Sequence, residues 1–231
     1  MSILLENKDR IAYRYEHKYV IDGMDIHKIT AILKHHPALF RENYKKRLIN
    51  NIYLDSHDMQ HYLDNINDST ERMKVRIRWY GESRKLLREP YLEIKRKKGS
   101  LGYKERFKLR PFRLGNKMSY DVLKTTFACS DIPASIKMML KSLSPTLINR
   151  YERKYYLSAD KKFRITLDYN LEYNKQHYGS NYLASFIKDL STKIMELKYE
   201  QGNDNLSYNI SSYLPFDICK NSKYINGIEG V

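Results

Sequence analysis

Proline, glycine, cysteine and tryptophan are all scarce in this chain, and acids are scarce relative to bases. Its 231 residues include 6 Pro, 9 Gly, 2 Cys and 1 Trp. So little Gly and Pro excludes collagen-like, linker-rich and low-complexity architectures. The two cysteines, Cys129 and Cys219, exclude a disulfide-built scaffold and match no zinc spacing. Both read as small, partly buried apolar residues of a reducing compartment. No run approaches the roughly 20 apolar residues that span a bilayer. The first ten residues carry Glu6, Lys8, Asp9 and Arg10 rather than an apolar leader. A cytoplasmic protein with one domain over residues 1–231 is expected.

What the chain has in excess is positive charge. Lys and Arg number 42 against 27 Asp and Glu, a net charge of +15. A domain this basic usually meets a polyanion, the alternative being a merely solvated basic surface. The placement of the charge decides between them.

Helical periodicity predicts helices over Met24–His36 (N-cap Asp22 or Asp25), Asp58–Ile66, Tyr120–Cys129, Ala134–Leu143, Tyr182–Leu190 and Leu206–Tyr213. Pro37, Pro133, Pro145 and Pro215 punctuate them. Strands are predicted over Arg14–Ile21, Asn50–Leu54, Met73–Tyr80, Tyr91–Lys97, Lys104–Arg110, Ile148–Leu157, Phe163–Leu171 and Lys193–Glu200. The order lacks regular βαβ alternation, so a mainly antiparallel sheet with peripheral helices is expected.

Strand side chains alternate faces. Lys74, Arg76 and Arg78 share one face, opposite Val75, Ile77 and Trp79. The same alternation groups Glu16 with Lys18, Glu93 with Lys95 and Lys97, and Lys104 with Arg106 and Lys108. It also groups Arg150 with Glu152 and Lys154, Arg164 with Thr166 and Asp168, and Glu196 with Lys198. Adjacent cations across strands repel. A sheet that concentrates them makes sense when an anion sits among them. Rolled into a closed barrel of about eight strands, it has an interior just wide enough for a slender ligand. An extended phosphate chain fits that interior and a nucleic-acid duplex does not. The minority carboxylates would then hold a divalent cation that bridges phosphate oxygens.

The ordered segments Arg14–Tyr19, Tyr53–Ser56, Arg76–Gly81, Glu93–Lys95, Arg164–Asp168, Met195–Lys198 and Ser222–Gly227 resemble the signatures of the VTC domain. That is the polyphosphate polymerase domain of the vacuolar transporter chaperone complex, in the triphosphate tunnel metalloenzyme superfamily. The resemblance covers nearly the whole chain. It implies a mainly β (α+β) fold, a closed eight-stranded antiparallel tunnel barrel with peripheral helices. It also implies ATP and inorganic polyphosphate as ligands, and a divalent metal, Mn2+ or Mg2+. By motif, Lys18, Arg76, Arg78, Lys95, Lys104, Arg150 and Arg164 would line the phosphate path. Lys74, Lys97, Arg106 and Lys198 share those faces. Ser222 and Lys223 would contact phosphate near a tunnel mouth. Glu196 is implied as the metal ligand, with Glu16 a second candidate. Arg76, Arg78 and Lys95 are the expected catalytic cations, acting on the transferring phosphoryl.

Two positions depart from the family pattern. Arg14-x-Glu16-x-Lys18 stands where hydrolytic relatives carry Glu-x-Glu-x-Lys, which argues against a second hydrolytic metal. Lys97 stands where the eukaryotic polymerases tend to carry His. The chain resembles a free-standing bacterial form, with a separate membrane protein as a candidate partner. A triphosphate hydrolase and a non-catalytic polyphosphate-binding module are the alternatives. Nucleic-acid binding is not expected, because tyrosines such as Tyr15, Tyr19 and Tyr199 lie opposite the basic faces. The seven histidines form no catalytic arrangement, and His35, His36, His57 and His61 are expected at the surface.

Overall fold

The computed structural model describes residues 14–82, 85–99, 101–115, 120–176, 186–200 and 202–230. In chain order these form β1 (Arg14–Ile21), α1 (Ile26–His35), β2 (Arg41–Asp55), α2 (Gln60–Ile66), β3 (Glu71–Tyr80), β4 (Leu86–Leu87), β5 (Tyr91–Lys98), β6 (Leu101–Lys108) and β7 (Phe112–Arg113). There follow α3 (Tyr120–Cys129), α4 (Ala134–Leu140), β8 (Ser144–Leu157), β9 (Arg164–Lys175), β10 (Ile187–Asp189), β11 (Lys193–Glu200), α5 (Asp204–Ser212) and α6 (Lys223–Glu229). Asp25 caps α1 through a 2.7 Å bond from the His27 amide, and Lys34 and His35 complement its C-terminal carbonyls.

The principal sheet is antiparallel throughout and runs β1-β11-β9-β8-β2-β3-β5-β6, with β10 pairing to β9. β1 and β5 are six strand spacings apart on this path, about 29 Å in a flat sheet. Yet Lys95 Nζ of β5 lies 3.9 Å from Glu16 of β1. The sheet is therefore rolled into a tunnel, with β1 facing β5 across the lumen. No β1–β6 pairing joins the two ends among the described residues; the Glu16–Lys95 ion pair links β1 to β5, the neighbour of β6.

Apolar residues on the outer face pack under helices. Val75, Ile77, Trp79, Leu92 and Ile94 meet Leu123, Phe127, Ile136 and Leu140 of α3 and α4. Tyr19, Ile165, Leu167, Met195 and Leu197 meet Ile29 and Leu33 of α1 and Ile210 of α5. Each such side chain contributes about 1.5–3 kcal/mol on burial.

At one end the inner face is also apolar. Ile49, Tyr53, Leu147, Tyr151, Leu171, Tyr173 and Ile194 point inward and pack on Tyr224 of α6. A bulge makes this arrangement. β9 has two residues, Asn170 and Leu171, where β8 has only Tyr151, and Asn170 adopts φ 51°. The extra residue reverses the phase of β9, so Asp168 and Leu171 both face the lumen.

Several expectations are corrected. The helix over 182–190 is not formed in its described part, where Ile187–Asp189 is β10; residues 182–185 lie outside the described residues. β2 starts at Arg41, nine residues before its apolar signal, because residues 41–47 are all exposed. α6 occupies a stretch expected only as a motif. Cys129 is exposed, and both cysteines are free. His36 and His61 are buried, holding the Ile210 and Leu54 carbonyls.

Candidate functional site

The lumen is built around four carboxylates. Glu93 on β5 is 2% exposed. It takes two bonds from Arg76, at 2.9 and 2.8 Å, and one from Lys104 at 2.5 Å. Arg78 stands 3.6 Å from it and Arg106 3.7 Å. Burial would raise the Glu93 pKa, but Arg76, Arg78 and Lys104 outweigh it and hold the carboxyl well below the usual range. Arg76 also donates to the Tyr53 hydroxyl, and Arg78 to Asn51 Oδ1 and the Tyr151 hydroxyl. Both guanidinium groups are thus fixed from behind, with donors left over for the lumen.

Across the tunnel, Asp168 on β9 pairs with Arg153 at 2.5 and 2.6 Å and with Lys223 at 2.6 Å. Glu196 on β11 accepts from Lys198 at 2.6 Å and Thr166 at 3.3 Å, with Arg153 at 3.7 Å and Lys223 at 3.9 Å. Burial opposes ionisation of Glu196, yet Lys198, Lys223 and Arg153 keep its pKa well below that of a free carboxyl. Glu16 on β1 lies 3.4 Å from Lys18 and 3.9 Å from Lys95.

The cations exceed what these acids neutralise. Lys74 donates to Ser222 Oγ at 2.9 Å, with no carboxylate within ion-pair distance among the described residues. Burial, then Lys18, Lys95, Arg76 and Arg72, lower its pKa to about 7. Burial lowers Lys104 to about 8 against the pull of Glu93, and it lowers Lys95 and Lys97 too. The Lys95 side chain is nonetheless 59% exposed, so water reaches the lumen around it.

The structure brings together Glu16, Lys18, Lys74, Arg76, Arg78, Lys95, Lys104, Arg106 and Lys198 as the alternation predicts. Lys97 lies toward the α6 end and Arg164 at the opposite rim. Arg150 is corrected. β8 turns Asn149, Tyr151 and Arg153 inward, so Arg150 faces out and pairs with Glu82 at 3.0 Å and Glu172 at 4.0 Å. Arg153 takes its place in the lumen. Both faces of β8 carry polar and aromatic residues, so alternation alone could not choose between them. Ser222 caps α6 through the Ile225 amide and accepts from Lys74. Lys223 is 8% exposed and committed to Asp168 and Glu196, with its ammonium over the Tyr151 ring; it is not a mouth residue.

The VTC domain family matches residues 13–231. The chain belongs to this family. Comparison with curated proteins gave no match. Among solved structures, this VTC domain is similar to a nominal adenylyl cyclase from Hippeastrum described as having a dominant triphosphatase activity. The TM-score is 0.51 at 12% identity, covering 94% of this chain and 96% of that one. It is also similar to a nominal adenylate cyclase from Vibrio parahaemolyticus, with TM-score 0.50 at 9% identity, covering 92% and 96%. At these identities the likeness concerns the fold, and it agrees with the rolled sheet of this VTC domain. No helix among the described residues is long and apolar enough to cross a membrane.

Among the described residues no three His, Cys, Asp or Glu side chains gather into a metal cage. Glu16 and Glu196 are diagonal neighbours on paired strands, since Glu16 faces Lys198 and Lys18 faces Glu196. Such diagonals lie about 7–8 Å apart. Two carboxylates of this kind suit a hard cation that completes its shell with ligand phosphate oxygens and water.

Proposed function

We propose that this VTC domain is a metal-dependent polyphosphate polymerase that moves the γ-phosphoryl group of ATP onto the end of an inorganic polyphosphate chain. The observation that carries the reading is the lumen's uncompensated charge: Lys18, Lys74, Arg76, Arg78, Lys95, Lys97, Lys104 and Arg106 converge on a wet tunnel with too few acids to balance them. Burial first, and then the neighbouring cations, push Lys74 and Lys104 down, and a polyanion among them offsets both by favouring the charged ammonium groups.

In the proposed reaction a terminal oxygen of the chain forms a bond to the γ-phosphorus. The bond from that phosphorus to the βγ-bridging oxygen breaks, and its electron pair leaves with ADP. Arg76, Arg78 and Lys95 stabilise the charge spread over the transferring group. The fixed guanidinium groups need little reorganisation to do so. Lys18, Lys74, Lys97, Lys104, Arg106, Arg164 and Lys198 hold the remaining phosphates, and Ser222 contributes its hydroxyl beside Lys74. Lys223 acts from behind, positioning Glu196. Glu196 and Glu16 would hold the divalent cation, which supplies charge neutralisation on the triphosphate.

One feature favours transfer to phosphate over transfer to water. Neighbouring Lys and Arg hold the buried lumen carboxyls Glu93, Asp168 and Glu196 below the usual carboxyl range, which makes them weak general bases. A phosphate acceptor is already ionised and needs none. The test is incubation of pure protein with ATP and Mn2+ or Mg2+, with products resolved by size. ADP with a ladder of lengthening chains is expected. Orthophosphate without a ladder would make the protein a hydrolase. Tight polyphosphate binding with no ADP under either metal would leave a binding module.

A further inference from the structure

The segment Asn221–Tyr224 lies across one end of the tunnel. Lys18 of β1 donates to the Asn221 carbonyl at 2.8 Å, and Lys74 of β3 reaches Ser222. Lys223 meets Asp168 of β9 and Glu196 of β11, and Tyr224 stacks on Tyr53 of β2 at 4.9 Å. Side chains from five strands around the wall therefore converge on four consecutive residues. Behind them α6 packs on inward-facing Leu147 and Tyr173.

At the opposite mouth, the β8–β9 hairpin and the end of β11 enclose a cavity of about 200 Å³. Lys161, Lys162, Arg164, Lys198 and Asn203 line it. It is smaller than the roughly 300–1,000 Å³ of pockets that bury a drug-sized molecule, which suits one or two phosphate units better than a nucleoside. Its two acids do not neutralise it. Asp160 accepts from the Ser158 hydroxyl at 2.5 Å and the Lys162 amide at 3.1 Å, and Asp160 and Glu200 line the cavity against the four cations Lys161, Lys162, Arg164 and Lys198. Lys161, Lys162 and Arg164 have no carboxylate within ion-pair distance among the described residues. Lys198 also holds Glu196, so the cavity shares a cation with the interior.

We propose that this cavity is a distal phosphate subsite, in which Lys161 and Lys162 grip a segment of polyphosphate outside the lumen, and that the chain passes through this mouth rather than the α6 end. The inference rests on the phosphate-tunnel reading above and deepens it. The inward face of β9 carries Asp168, Thr166 and Arg164 in turn toward this rim, and Lys162, in the turn before β9, lines the same cavity as Arg164. A chain long enough to leave the lumen gains these contacts. Tripolyphosphate, held inside, does not.

The test compares tripolyphosphate with long-chain polyphosphate by calorimetry on the full chain, with no nucleotide present. The variant is Lys161→Asn with Lys162→Glu; asparagine is chosen because Lys161 sits at φ 62°. Both residues are exposed, and a thermal melt checks the fold. Long-chain affinity should fall about tenfold, the sum of two exposed contacts, while tripolyphosphate affinity stays unchanged. Lys98→Gln, at the α6 end, should change neither. Equal loss for both ligands, or no loss for either, overturns the subsite. Selective loss in Lys98→Gln alone overturns the direction. If the parent does not bind tripolyphosphate, the tunnel reading itself fails and the subsite falls with it.

Discussion

Glu93 shows how a buried acid organises cations that face a ligand. Arg76 and Lys104 bond to it directly, and Arg78 and Arg106 stand within 4 Å. Glu93→Gln leaves them uncompensated at a buried position, and stability should drop by about 3 kcal/mol. Urea unfolding measures this, and saturating tripolyphosphate should narrow the gap. Glu196→Gln probes a different role. Turnover of ATP should fall steeply while polyphosphate binding persists, whereas Arg78→Ala should weaken both; turnover at the parent rate in Glu196→Gln would remove its metal assignment. Lys74 gives a pH signature. Its folded pKa, about 7, lies below its ordinary value of 10.5. Between those values the unfolded chain binds the extra proton, so this lysine's cost to stability is fully present below pH 7 and is relieved as pH rises toward 10.5. A bound polyanion restores the proton. Tripolyphosphate binding near pH 8 should therefore take up protons, and Lys74→Met should take up fewer. Calorimetry in two buffers of different ionisation enthalpy decides it, and equal uptake would remove Lys74 from the site.

Among the elements, α6 and β9 shape the tunnel most. α6 is short, and its place depends on Gly227. A Cβ there would meet Leu147 Cδ2 at 2.5 Å and Tyr173 Cδ1 at 2.6 Å, both side chains fully buried. Gly227→Ala should cost about 1–3 kcal/mol through overpacking. It should also loosen the Lys223 contacts to Asp168 and Glu196. A melting temperature equal to the parent's would show that the helix docks less tightly than its packing implies. The Asn170 bulge matters in another way. It lets one strand present Thr166 and Asp168 to the charged half of the lumen and Leu171 and Tyr173 to the plugged half.

At the scale of the whole molecule, the net charge is +15, and cations of β1, β3, β5, β6 and β11 gather along one channel around a few buried acids. An anion that binds only the folded state stabilises it by mass action, by about 2.7 kcal/mol at a hundredfold excess over Kd. For a chain of this length that is a rise of roughly 5–10 °C in melting temperature. The shift should shrink as salt rises; differential scanning calorimetry with tripolyphosphate checks both, and no shift at saturation would contradict a phosphate tunnel. Period-two alternation was enough to put Lys74, Arg76 and Arg78 on one face and Val75, Ile77 and Trp79 on the other, because a strand has two sides and helices cover only the apolar one. The order of the motifs was enough for the family. Three things were not written locally. β8 is polar on both faces, so the choice of Arg153 over Arg150 needed its neighbours β2 and β9. Asn170 has no alternation signal, because a bulge exists only relative to a partner strand. The burial of Lys223 depended on α6 folding back between strands far away in sequence. Each was decided by contacts across the rolled sheet, where the energy of a charge is set by which other charges surround it.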